Sequence, residues 1–404
     1  MAAAAMASRV NGSMLAISRT QLSSARYYQR PDQDHVTFDS TRTHLDGYAG
    51  YFQLSKVTGF VTGYARFTSR SPGFETNDVG FLRFSDYHNI TGRVNFRWLR
   101  PGQLFRRFEL RLHGQSALTY GGERTHSLAE TRLDWDYLNY WNMNLTVRHE
   151  FPSLEPRLLR GGPAFYQPDH TQFSWRGRTD WRKPVWLDGS ITYSYEHASN
   201  AETWGAGMGV NLRPPGSFSF SIRGQASLST SDRQYVTART PADSTYYVFG
   251  RIDRKEISAT FRADFALTPR LSLEIYAQPF ASVGAYPAYK LVADPKAQQY
   301  EDRFDPLEED RLSVNEGYYD VDADRNGEVD FSFLDPSFRV LSLRTNTVLR
   351  WEFRPGSTLF LVWQISGSRR DDTVALNVWD VFSDTFTIDR VQVLALKISY
   401  WLGT

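Results

Sequence analysis

The run Asp320-Val321-Asp322-Ala323-Asp324-Arg325-Asn326-Gly327-Glu328-Val329-Asp330 sets oxygen-bearing side chains at alternate positions around a glycine. Counted from Asp322, oxygens fall at positions one, three, five and nine and the glycine at six, the spacing by which a short loop wraps a hard cation. Calcium takes roughly six to eight oxygens, and Asp320, Asp322, Asp324, Asn326, Glu328 and Asp330 supply most of such a shell. Position twelve is Phe333, where an EF-hand carries a bidentate Glu. The expectation is a weak calcium site that orders the long polar stretch 283–338. The alternative is a solvated acidic hairpin tip.

Other chemistry finds little footing. The eight histidines, His35, His44, His88, His113, His126, His149, His170 and His197, are scattered, with no His-x-Glu-x-x-His pair and no His and carboxylate cluster at metal spacing. Zero Cys removes thiolate catalysis, disulfides and Cys-ligated zinc together. No Gly-x-Ser-x-Gly elbow occurs, and Gly205, Gly207 and Gly209 lack the strand-turn-helix context of a dinucleotide loop; inside a strand they make room for a bulky neighbour. Carboxylates are plentiful, and Glu109, Glu130, Asp134, Glu274 and Glu352 could hide a glycosidase pair, which needs a separation of about 5 Å for retention. Nothing selects two of them, and their interleaving with Arg111, Arg132, Arg223, Arg344 and Arg350 reads more simply as salt-bridged filling or pore lining. No catalytic and no cofactor-binding residue is assigned. Phe165-Tyr166-Gln167 could stack a sugar, although aromatics on a barrel surface more often form its interfacial girdles. A net charge of +1, with no phosphate-binding or base-stacking pattern, argues against nucleic acid.

The elements that carry these residues are strands. From about Thr43 the dominant period is two. Phe218, Phe220, Ile222, Gly224, Ala226 and Leu228 alternate with Ser219, Ser221, Arg223, Gln225 and Ser227; Phe108 to Tyr120, Leu271 to Tyr276 and Leu341 to Phe353 repeat the pattern. A soluble sandwich alternates too, so three further features matter. The runs are long, beyond the soluble mode of about 5–6 residues and matched to the roughly 9–11 of a tilted membrane strand. Aromatics gather near strand ends, as in Trp98, Trp135, Trp181, Trp351, Tyr400 and Trp401, where interfacial girdles sit. Connections alternate between tight Pro or Pro-Gly turns, at Pro101, Pro184, Pro214, Pro269 and Pro355, and long polar stretches. With 15% aromatics, a mean hydropathy of −0.47 and no apolar run of spanning length, the chain is neither disordered nor a helical membrane protein.

The fold expected is all-β, an antiparallel transmembrane β-barrel of about sixteen strands of outer-membrane type. Strands are expected near Gly47, Phe60, Asp78, Ile90, Gln103, Thr125, Met143, Thr171, Leu187, Thr203, Ser217, Tyr247, Arg270, Arg339, Ser357 and Arg390. The barrel domain is 42–404. Residues 1–41 read as a linker, the remnant of a longer protein, because Met1 to Arg30 lacks the apolar core of a secretory signal.

Four stretches resemble the barrel domain of the domain of unknown function 5916 family: Tyr27 to Asp32, Ser71 to Phe81, Asn346 to Trp363 and Lys397 to Trp401. The long Asn346 to Trp363 match is the most specific, and the likeness runs over nearly the whole chain. The last strand departs from the aromatic ending of such barrels by closing on Leu402-Gly403-Thr404. The resemblance implies a bacterial outer-membrane location, contact with membrane lipid and the barrel-assembly machinery, and a preceding domain similar to family 9 carbohydrate-binding modules. It assigns no catalytic residues. The function expected is that of a non-enzymatic channel or surface platform in the handling of carbohydrate or another envelope ligand; the alternative is a barrel-associated hydrolase acting on glycans through paired lumen carboxylates.

Overall fold

The computed structural model describes all 404 residues except 78–79, 242–243, 375–376 and 403–404. Strand β1 (Ala2–Asn11) leads through helix α1 (Met14–Leu22) to β2 (His44–Lys56), β3 (Val61–Arg70), β4 (Tyr87–Trp98), β5 (Phe105–Leu118), β6 (Arg124–Tyr137) and β7 (Asn142–Glu150). A small hairpin of β8 (Ser153–Glu155) and β9 (Phe165–Gln167) precedes β10 (His170–Arg178), β11 (Val185–Glu196), β12 (Glu202–Leu212), β13 (Phe218–Arg239), β14 (Tyr246–Thr268) and β15 (Leu271–Val292). After β16 (Phe304–Leu307) comes a three-stranded sheet of β17 (Leu312–Asn315), β18 (Tyr318–Val321) and β19 (Phe331–Leu334). The chain ends with β20 (Phe338–Arg354), β21 (Ser357–Asp371), helix α2 (Val378–Asp384) and β22 (Val391–Ser399). Among the described residues no helix is long and apolar enough to cross a membrane.

Sixteen of these strands pair antiparallel in chain order, β1 to β7, then β10 to β15, then β20 to β22, in one sheet; β16 adds to the end of β15. Among the described residues no ladder joins β1 to β22, so the sheet has two free edges. Fifteen strands lie at expected positions. The expected strand near Asp78 starts outside the described residues, and 80–86 form none. The sixteenth is β1, which lies in the segment read as a linker. Ala2 to Ala5 offers no apolar and polar contrast from which a period of two can be read, and it is the ladder with β2, Ala4 opposite Tyr51 and Val10 opposite Leu45, that extends it.

Register sorts the side chains. One row of directly paired residues runs Val61, Phe96, Leu110, Leu133, Leu145, Trp175, Ile191, Ala206, Ala226, Ile257, Ala281 and Leu341 across twelve strands. The neighbouring row, displaced by one residue, runs Thr62, Asn95, Arg111, Arg132, Thr146, Ser174, Thr192, Gly205, Ser227, Glu256 and Ser282. The sheet therefore has an apolar face and a polar face. It is the apolar one that faces outward: Ile90 is 63% exposed, Met208 61%, Ile191 51% and Leu394 70%, while Asp134 on the polar face is 8% exposed. Near Ile257, Ala281 and Leu341 the apolar face is covered by Val381 and Ile388 of the connection between β21 and β22.

Connections are sorted by end. Residues 57–60, 99–104, 138–141, 179–184, 213–217, 269–270 and 355–356 close the short turns at one end, and all five expected proline turns are among them. Gly216 and Gly356 take positive φ there, a conformation open to glycine without strain. At the opposite end lie all the long connections, 12–43, 71–86, 151–169, 293–337 and 372–390, together with the shorter 119–123, 197–201 and 240–245.

The small residues of β12 have a local cause. Gly209 is paired with Asp188 on one side and Arg223 on the other, and the Asp188–Arg223 ion pair passes over it. A Cβ at 209 would sit 2.7 Å from the Asp188 carboxylate oxygens. Gly209→Val is expected to separate the pair and to cost roughly 1–3 kcal/mol of unfolding free energy, measured on the folded chain by denaturant titration; Gly224→Ala, on the open apolar face, is the control.

Candidate functional site

On the polar face, at the long-loop end, the connections fold together into a cap. Helix α1 starts at Ser13, whose hydroxyl accepts from the Ala16 amide, and buries Ile17 against Leu45 of β2 and Tyr28. Gln21 is fully buried, with its side-chain amide exchanging hydrogen bonds with the backbone of Asp39. The segment Ser71 to Phe74 crosses β2 at Gly47, where a Cβ would stand 2.1 Å from the Phe74 nitrogen, so only glycine permits the crossing.

Asp32 is the hub of this cap. Its carboxylate accepts from Arg30 (3.1 Å), from Lys296 Nζ (2.7 Å) and from the Ala164 amide (2.9 Å). Arg30 and Lys296 also reach Glu123 in the turn between β5 and β6, at 3.0 and 3.6 Å. One carboxylate thus ties together the segment after β1, the segment after β7 and the segment after β15, with the β5–β6 turn joined through Glu123. Burial alone would raise the Asp32 carboxyl, but Lys296, the Ala164 amide and Arg30 outweigh it and hold it below the usual aspartate value. Arg303, 2% exposed, continues the network by donating to the carbonyls of Ala297, Gln298 and Tyr166. Under the cap lies a cavity of about 450 Å³ whose lining includes Tyr27, Arg30, Arg83, Asp86, Asn89, Gln115, His126, Arg148 and Arg157.

The carboxylates singled out in the sequence all fall on the polar face. Glu109 and Asp134 are direct cross-strand partners, as are Arg111 and Arg132 beside them. Each carboxylate is met by the guanidinium of its own strand: Arg111 to Glu109 at 3.1 Å, and Arg132 to both oxygens of Asp134 at 2.7–3.0 Å. These contacts engage one oxygen of Glu109 and both oxygens of Asp134. Phe165-Tyr166-Gln167 is not a sugar-stacking surface: Phe165 is fully buried against Phe249, Phe304 and Leu159, and Tyr166 lies under the Arg303 guanidinium.

The acidic run is a hairpin tip between β18 and β19. Asp322, Asp324 and Asp330 bring one carboxylate oxygen each within 4.8 Å of the others. Asp322 accepts from the amides of Asn326 and Gly327, Asp330 from those of Ala323 and Asp324, and Asn326 from that of Glu328. Asp320 is turned away, accepting from Ser332 on β19, and position twelve, Phe333, is 2% exposed in the core beneath the hairpin. The buried Arg311 guanidinium donates to the carbonyls of Asp322 and Ala323 and pairs with Asp305. Three of the six expected ligands therefore converge, Asn326 sits beside them, and Asp320 does not join.

Sequence reasoning missed Lys290. Its Nζ lies 3.8 Å from the Phe304 ring centre and 5.2 Å from that of Tyr300, on a pocket shared with Asp232 and Glu301. Nothing local in the sequence signals it, because the rings come from the next connection.

These features define an all-β protein built on a single large antiparallel sheet with one polar and one apolar face. The chain belongs to the family described as Domain of unknown function (DUF5916), whose model matches residues 8–403. No curated protein and no solved structure matches the chain. The family stretch Tyr27 to Asp32 supplies the hub of the cap.

Two outcomes follow from this geometry. Because the Asp32 carboxyl is held below about 3.9, its ionised form stabilises the cap fully above that pH, and the contribution is lost as pH falls through the native value. Asp32→Asn is expected to weaken the cap by about 1–3 kcal/mol at neutral pH, read as faster proteolysis or amide exchange in 153–167 and 293–303, with the wild-type chain approaching the variant below about pH 4. For the acidic tip, calorimetry is expected to detect calcium at roughly 10⁻⁴–10⁻³ M and to lose it in Asp322→Ala; no heat at millimolar calcium would leave only a hydrogen-bonded hairpin.

Proposed function

We propose that the chain is a bacterial outer-membrane β-barrel whose lumen is occupied by its own cap, a non-enzymatic platform for an envelope ligand. The observation that carries this reading is the outward apolar face. A water-soluble sheet turns such a face inward, whereas hydrocarbon accepts it and instead requires every backbone group to be paired within the sheet. The sorting of turns and long connections by end supports the same reading, short turns facing the periplasm and long ones the cell surface. So does Asp32, because segments attached to β1, β7 and β15 meet at one carboxylate only if the sheet curves around its polar face.

In the bilayer the free edges of β1 and β22 pair with each other. Sixteen strands in antiparallel order make these two edges antiparallel neighbours, and closure removes a row of unpaired amides that lipid would not tolerate. Lipid contacts the apolar face, and the barrel-assembly machinery takes the last strand, whose Leu394, Leu396, Ile398 and Tyr400 are exposed. The handled ligand, carbohydrate or another envelope molecule, binds at the long-loop end, where the pockets beside Lys290 and Arg83 lie. Lumen ion pairs act as filling, as at Glu109 and Asp134.

Fitted with an export signal, the chain is expected to reach the outer membrane and to migrate as a heat-modifiable band, faster before boiling than after. Soluble protein with no shift on heating would overturn the membrane reading. Large steady conductance in a planar bilayer would retain the barrel but overturn the occupied lumen.

A further inference from the structure

A second set of metal-ligating side chains lies away from the acidic hairpin, on the apolar face at its long-loop rim. His149 is next to last in β7 and is paired with Thr171 of β10. Asp169 stands just before β10 and His197 just after β11, where the His197 amide donates to the Asp169 carbonyl at 3.3 Å. Alternation puts Asp169 and Thr171 on the same face, and the register adds His149 and His197 to it. Two imidazoles and a carboxylate therefore converge although they are far apart in sequence.

The donor atoms aim at one place. His149 Nδ1 is 2.9 Å from the Thr171 hydroxyl, His197 Nε2 is 3.2 Å from the same hydroxyl, and Asp169 Oδ2 is 3.6 Å from His197 Nε2. One ligand atom from each of His149, Asp169 and His197 lies within 4.8 Å of the others. Bonds of about 2.0–2.2 Å at tetrahedral angles set ligand atoms roughly 3.3–3.6 Å apart, which the 3.6 Å between Asp169 and His197 already meets and which His149 reaches by a small rotation of its ring. The rings are held in place by Phe151 against His149, with centroids 4.7 Å apart, and by Tyr195 against His197 at 4.6 Å. A lone hydroxyl can donate to one imidazole and accept from the other, so Thr171 alone would make a hydrogen-bonded latch. The Asp169 carboxylate faces the same His197 nitrogen at 3.6 Å, longer than a hydrogen bond, and completes a nitrogen and oxygen donor set suited to a borderline first-row ion.

We propose that His149, Asp169 and His197 form a binding site for a divalent transition-metal ion of the zinc class, which rivets the ends of β7, β10 and β11. The donor set leaves a fourth position for water or the Thr171 hydroxyl. Zero cysteines means that no thiolate elsewhere in the chain competes for the ion. The site does not depend on the membrane reading, and the same titration applies in detergent or in plain buffer.

The test uses the full folded chain without a histidine tag, titrated with cobalt(II) and read by its visible absorption, followed by displacement with zinc. One equivalent is expected to bind with the spectrum of a low-coordinate nitrogen and oxygen site. His149→Gln keeps a partner for Thr171 and His197→Ala opens the opposite side; each is expected to weaken binding by about tenfold or more, while Thr171→Val retains the site. Native gel mobility or proteolysis confirms that the variants fold. Absence of a cobalt spectrum in the wild-type chain, or wild-type affinity in both histidine variants, would overturn the proposal.

Discussion

A hydrogen-bonded strand cannot slip by one residue without carrying each of its side chains to the opposite face, and here that constraint acts across fifteen successive ladders. Shifting β5 against β6 by one position would carry Arg111 and Glu109 together onto the face of Leu133 and Trp135, and Leu110 and Leu112 onto that of Arg132 and Asp134. The penalty is an ion pair moved onto an apolar surface and apolar side chains moved among charges, larger than the gain from any single cross-strand contact. Register is thus fixed locally at every ladder, and the two-faced sheet follows from repeating that decision.

The polar face is stable only because its charges are matched close to home. Arg111 with Glu109, Arg132 with Asp134 and Arg148 with Glu150 are pairs two residues apart on one strand, and Asp188 with Arg223 spans a glycine between neighbouring strands. Such short-range pairing lets the face form with the sheet itself. The cap works on another principle. Asp32, Glu123 and Lys296 come from remote parts of the chain, so their network requires the strands that carry them to be in place.

What could be read from the sequence was what repeats or what is consecutive. Alternation gave fifteen of the long strands because each carries its own apolar and polar contrast. Strand β1 escaped because four alanines have no contrast to read. The acidic tip was legible because its ligands follow one another within a few residues, although Asp320 turned out to serve the β18–β19 pair through Ser332. His149, Asp169 and His197 were not legible. Their proximity depends on the pairing of β7 with β10 and of β10 with β11, and no spacing rule along the chain encodes it. Phe165 was misjudged for a related reason: a loop aromatic reads as exposed until Phe249 and Phe304, from two other segments, are known to cover it.

The same physics explains why every chemically suggestive group sits at one end. A turn of two to six residues has too few side chains to build a site by itself, and mid-strand carboxylates such as Glu109, Asp134 and Asp188 are already engaged with neighbouring arginines. At the opposite end the connections meet the strand ends and bring remote side chains together: Asp32 beyond β1, Lys290 near the end of β15 with the acidic hairpin beyond it, and the histidine and carboxylate set where β7, β10 and β11 end. The sheet supplies the rigid positions, since His149 and Thr171 are fixed by a ladder, and the connections supply the chemistry, since Asp169 and His197 lie just outside it. Function in this chain is therefore to be sought where strand order gives way to loop, at the long-loop rim and beneath the cap.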